Sequence, residues 1–84
     1  MTGAGLSPRD LLEYLARGLV DEPEAVSVTE VSEGDGSTVL GLSVARADYG
    51  KVIGRGGSTA AALRTVVKTV AARRGHRVFI DIVE

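Results

Sequence analysis

The sequence predicts an α+β fold, a two-layer α/β sandwich with elements in the order α-β-β-α-α-β. Three observations lead there. Leucines recur at helical spacing near the N-terminus, and three later segments alternate apolar with polar residues. A cluster of glycines divides the stretch between the second and third of those segments into two helices. Three strands and an amphipathic helix that must share one core stack as helices on a sheet. The 84 residues suffice for one domain and not two. Residues 7–84 are expected to form it, preceded by a flexible tail over 1–6.

"LSPRDLLEYLARGLV" opens with helix-start signals. Ser7 can cap, Pro8 suits the first helical position, and Asp10 lies where the helix dipole favours an acid. Leu6 and Leu11 have the spacing of a hydrophobic staple. Leu11, Leu12, Leu15 and Leu19 then form an apolar face, Glu13 and Arg17 an i,i+4 pair, and Pro23 in "DEPE" is expected to end the helix. "AVSVTEV" and "STVLGLSVA" read as strands joined by the hairpin loop "SEGDGS", with Leu40, Leu42 and Val44 pointing inward. "ADYGKVI" is a short helix ending at Gly54. "STAAALRTVVKTVAARRG" is a long one, capped by Ser58 or Thr59, closed by Gly75, and striped by Ala60, Leu63, Val66, Val67 and Val70. "HRVFIDIV" is the last strand, with Val78, Ile80 and Ile82 inward.

Composition narrows the function. No cysteine is present, which removes disulfides and thiolate metal sites. Tyr14, Tyr49 and Phe79 are the only aromatic residues, so the core is aliphatic. No apolar run reaches the ~20 residues of a membrane helix, and no signal peptide is recognisable, so a cytoplasmic location is expected. One histidine, His76, follows a helix-ending glycine and reads as a surface or capping residue. It cannot assemble a nucleophile–base set or a metal site with the scattered serines and acids, so no catalytic residue, metal or cofactor is expected.

The net charge of −1 conceals a division. Residues 1–45 hold two basic and eight acidic residues, whereas 46–84 hold eight basic and three acidic. A basic half admits a nucleic-acid partner that the overall balance would dismiss, although segregated charge can also merely solvate two faces.

"KVIGRGGS" is the segment richest in chemistry. A plain bend between helices usually needs one glycine, and this one has Gly54, Gly56 and Gly57. Without side chains a ligand can approach the backbone, and amides of Gly57, Ser58 and their neighbours at the next helix's N-terminus favour an anion. Arg55 at the tip can fork two hydrogen bonds to a phosphate. No register supplies a Walker A loop, and from Gly54 the third position of a dinucleotide fingerprint falls on Thr59.

Gly54-Arg55-Gly56-Gly57, preceded by Val52-Ile53 and set between two helices, resembles the G-x-x-G signature of KH domains. These bind single-stranded RNA or DNA, the loop clamping about four nucleotides of backbone. The element order resembles the bacterial type II arrangement with its mixed three-stranded sheet. From Ser7 to Glu84 the chain further resembles the KhpA family of small stand-alone bacterial KH proteins. The opening leucine helix, "DYGKVIGRGG", "LRTVVK" and "VFIDIVE" carry that resemblance.

It implies a cytoplasmic, non-enzymatic RNA-binding protein, an RNA chaperone or post-transcriptional regulator linked to cell growth and division. Implied partners are single-stranded RNA, a second copy in a homodimer, and KhpB, the larger Jag-type protein. The implied site is Gly54, Arg55, Gly56, Gly57 and Ser58 as phosphate clamp, Ile53 as its apolar neighbour, and Lys51 and Arg64 as electrostatic supports. Two departures weaken the charge: Ser58 stands where the family often has a basic residue, and Gly56 leaves Arg55 as the only charge in the loop. The alternative function is a dimerising adaptor with vestigial RNA binding; a DNA-binding accessory protein ranks third. "ARRGHR" is helix-end charge or an extension of the nucleic-acid footprint, and Phe79 is expected in the core unless it faces the groove.

Overall fold

The computed structural model describes residues 5–84. Most of the expected tail, residues 1–4, lies outside the described residues. Leu6 is held at its carbonyl by the Arg74 guanidinium.

Helix α1 spans Pro8–Arg17. The Ser7 hydroxyl accepts from the Asp10 amide at 3.1 Å, and Glu13 pairs with Arg9 at 2.9 Å and Arg17 at 2.8 Å. Leu12 and Ala16 are fully buried, with Leu11 and Leu15 on their flanks. Pro23 does not end this helix. It stops at Gly18, a poor helix former, whose amide turns back to the carbonyls of Tyr14 and Leu15. Pro23 instead starts a 3-10 turn, Pro23–Ala25, that leads into the sheet.

Strands β1 (Ser27–Ser32) and β2 (Thr38–Ser43) pair antiparallel, Val28 opposite Leu42 and Val31 opposite Val39. β3 (Val78–Ile82) pairs parallel with β2, Leu40 opposite Ile80, so the sheet is mixed with order β1-β2-β3. A parallel neighbour requires a crossover. Here it consists of a 3-10 turn, Arg46–Asp48, then α2 (Tyr49–Ile53) and α3 (Ser58–Arg73). This is the type II KH arrangement.

The core lies between the helices and one sheet face. Leu40, Leu42, Val78, Ile80 and Ile82 meet Leu12, Ala16, Val52 and the buried stripe of α3. That stripe is Ala60, Leu63, Val67 and Ala71. Val66, expected inside, is 45% exposed because it sits a quarter-turn away from this row. Val44 is only partly buried, beyond the end of β2. Phe79 is 44% exposed on the sheet's outer face, because only even-numbered positions of β3 point inward. The C-terminus of α3 closes as expected: Gly75 has φ +75°, its amide donates to Ala72, and the His76 amide donates to Ala71.

Candidate nucleic-acid interface

The bend after α2 divides its glycines between two tasks. Gly54 has φ +77°, and a Cβ there would lie 2.3 Å from Thr59 Oγ1 and 2.7 Å from the Thr59 amide nitrogen. It lets α2 close directly onto the first turn of α3. Gly56 and Gly57, with φ of +62° and +82°, would project a Cβ into open space. Their bareness serves no packing inside the protein, only conformation and access.

The open donors lie earlier than the sequence indicates. Arg55–Gly57 form a 3-10 turn in which the Gly57 amide donates to Gly54 at 3.1 Å and the Ser58 amide to Arg55. Among the described residues, no acceptor meets the amides of Arg55 and Gly56. Ser58 is the first residue of α3 and not its cap; that position falls to Gly57, and no side chain caps the helix. The positive end of the helix dipole and the two amides are therefore left open beside the exposed Arg55 side chain, which among the described residues makes no ion pair. Ile53, half-buried, packs against the core next to them.

Lys51 and Arg64 already have partners within the protein. Lys51 Nζ lies 3.3 Å from Asp21 and 3.5 Å from Asp48, and the hydrogen bond and charge of Asp21 first, then Asp48, hold its ammonium above the ordinary value. The Asp48 carboxylate is nearly inaccessible and accepts from the Glu22 amide at 3.0 Å. Its desolvation pushes the pKa up, but amides of Asp21 and Glu22 together with Lys51 outweigh that, and the carboxyl stays below the ordinary range. Asp48 thus stitches the segment before β1 to the start of α2, and so fixes the helix that ends in the bend. Nothing in the sequence distinguishes it from a surface acid; it lies 26 positions from its partner Glu22. Arg64 Nε donates to the Ile80 carbonyl at 3.2 Å, tying α3 to the outer edge of β3. One turn on, Lys68 Nζ lies 5.0 Å from the Phe79 ring centroid.

The opposite flank of α3 is apolar. A groove of about 230 Å³ between α1 and α3 is lined by Leu15, Leu19, Ala62, Leu63 and Val66, with Thr59 at its end. Val66, misplaced by the helical stripe, belongs here.

Residues 9–82 match the family model of the KhpA/KhpB KH domain. The chain belongs to that family. Its relatives include the RNA-binding protein KhpA of Clostridium acetobutylicum, 47% identical over 89% of this chain and 99% of the relative. KhpA of Clostridium perfringens is 45% identical over the same shares, and KhpA of Chlamydia pneumoniae is 42% identical over 90% and 96%. A crystal structure of Aquifex aeolicus Era superposes with a TM-score of 0.63 at 16% identity, covering 89% of this chain and 29% of that one. That likeness is one of fold. Among the described residues no helix is long and apolar enough to cross a membrane.

Proposed function

We propose that this KH domain binds single-stranded RNA without catalysing a reaction, holding phosphates against residues 54–58, and works in the cytoplasm as an RNA chaperone or post-transcriptional regulator of low sequence specificity. The observation that carries the reading is the pair of amides at Arg55 and Gly56 that no acceptor among the described residues meets, in a bend where nothing approaches the Cβ positions of Gly56 and Gly57. The names of the KhpA relatives support the choice of RNA. Arg55 adds the loop's one charge, and Ile53 an apolar edge for a base. Lys51 and Arg64 act from behind, holding α2 and α3 in register, because their charges already face Asp21, Asp48 and the Ile80 carbonyl.

Arg55→Asp combined with Gly56→Asp is the test. RNA binding disappears while circular dichroism and oligomeric state persist. For the unsubstituted protein, log affinity falls against log salt with a slope near −3 if about four phosphates are neutralised.

The groove between α1 and α3 favours a second reading, an adaptor that pairs with another copy or with KhpB. Apolar side chains left open there suit protein contact and contribute nothing to a phosphate clamp. Unchanged RNA affinity in the double variant, with association intact, would select this reading.

A further inference from the structure

A cavity of about 580 Å³ opens where β2 and β3 end, lined by Val44, Arg46, Tyr49, Val83 and Glu84. Its volume is that of a small-molecule site, which spans roughly 300–1,000 Å³. None of the residues at 51–58 lines it. We propose that this cavity is a nucleobase pocket, taking a base beyond the nucleotides clamped at 54–58 and preferring bases that carry an exocyclic amino group over uracil. The proposal rests on the RNA reading above.

Three features carry it. The first is placement of charge. Arg46 precedes α2 and Arg55 follows it, and among the described residues neither guanidinium has an ion pair or side-chain hydrogen bond, whereas Lys51 between them is held by two acids. Helix α2 has five residues and is about 7.5 Å long, so a strand anchored at its end passes its beginning within a few nucleotides.

The second feature is surface for stacking. Tyr49 is half-buried, one side against the core and the rest lining the cavity, with Val44 and the 46%-exposed Val83 beside it. A ring fixed from behind is a ready platform, since base–aromatic stacking is tolerant of base identity.

The third is the carboxylate of Glu84. It disfavours a phosphate, so the base and not the backbone enters. It accepts hydrogen bonds only, and cytosine and adenine offer amino donors where uracil, like thymine, presents an O4 acceptor. Arg46 and Glu84 line the same cavity without pairing with each other, which leaves a donor and an acceptor available to one base edge.

The test uses fluorescent single-stranded RNA of four and six nucleotides, as C, A and U homopolymers, with the full chain. Tyr49→Leu with Arg46→Gln keeps apolar volume but removes ring and charge. It weakens C₆ and A₆ binding about tenfold, the loss of roughly one stack, and leaves the tetranucleotides unchanged. Glu84→Gln, at an exposed position, erases the preference of C₆ and A₆ over U₆. Gly56→Asp serves as the control. If it abolishes binding while the double variant and Glu84→Gln both bind all hexamers as the parent does, the pocket is idle and the clamp stands. If Gly56→Asp leaves affinity intact, the RNA reading itself fails.

Discussion

Two glycine-rich bends in this molecule, each closing on a Gly-Ser pair, end in opposite states. The hairpin turn over 33–37 and the bend over 54–58 both place glycine in the left-handed region, Gly36 at φ +89° and Gly56 at +62°. In the hairpin, Asp35 supplies an anion from within: its carboxylate accepts from the Ser37 hydroxyl at 2.7 Å and amide at 3.0 Å and meets Arg77 at 3.3 Å. The second bend contains no acid. Its one charge is Arg55, and the amides of Arg55 and Gly56 find no acceptor among the described residues. Glycine makes both turns feasible; the presence or absence of a carboxylate decides whether the turn closes on itself or stays open to an outside anion.

The sharpest way to break the open bend is at the glycine that does not face the ligand. Gly54→Ala drives a Cβ into Thr59, including its backbone nitrogen, at a φ that alanine disfavours. A destabilisation of about 2–3 kcal/mol is expected in urea denaturation, with RNA binding lost alongside. Gly56→Ala meets no neighbour and costs about 1 kcal/mol from φ alone. Near-equal losses at the two positions would remove the division of labour between them.

Gly56→Asp brings the hairpin's device into the open bend. A carboxylate there takes the donors or repels the phosphate, and RNA affinity falls at least tenfold while the fold remains. Arg55→Gln is milder: one charge fewer reduces the salt slope by about 0.7. Lys51→Met leaves that slope unaltered, because its ammonium already lies between Asp21 and Asp48. A slope reduced equally by both substitutions would return Lys51 to the RNA surface.

These contrasts mark what was legible in the chain. Element order, the Ser7 cap, the Glu13–Arg17 pair and the Gly75 closure follow from local chemistry, and all are present. The three glycines pointed to the bend, but which amides stay open depends on the 3-10 turn that consumes those of Gly57 and Ser58, a detail of dihedral angles and not of residue type. Asp48 and Lys51 form contacts with residues 21 and 22, so their roles depend on tertiary placement that no local pattern encodes. Val66 shows the limit of periodicity: a valine beside a helical stripe reads as core, yet it lines the groove between α1 and α3 and stays exposed.

The smallest effect separates the two acids in acid unfolding. Both Asp48 and Asp35 are held below the ordinary carboxylate value of 3.8, Asp48 despite its burial and through the amides of Asp21 and Glu22, Asp35 chiefly through the Ser37 hydroxyl and amide. A carboxyl whose folded pKa lies below its unfolded one stabilises the fold above the unfolded value, and that contribution vanishes as pH falls through the folded value. Stability therefore declines as pH drops below about 4. Asp48→Asn flattens this decline and loosens the start of α2, so RNA affinity drops with it. Asp35→Asn flattens it less, since its carboxylate is open to water, and leaves RNA affinity unchanged because the hairpin turn has no part in the clamp. An Asp35→Asn protein with impaired RNA binding at neutral pH would show that the closed bend also meets the ligand, and the contrast between the two bends would no longer hold.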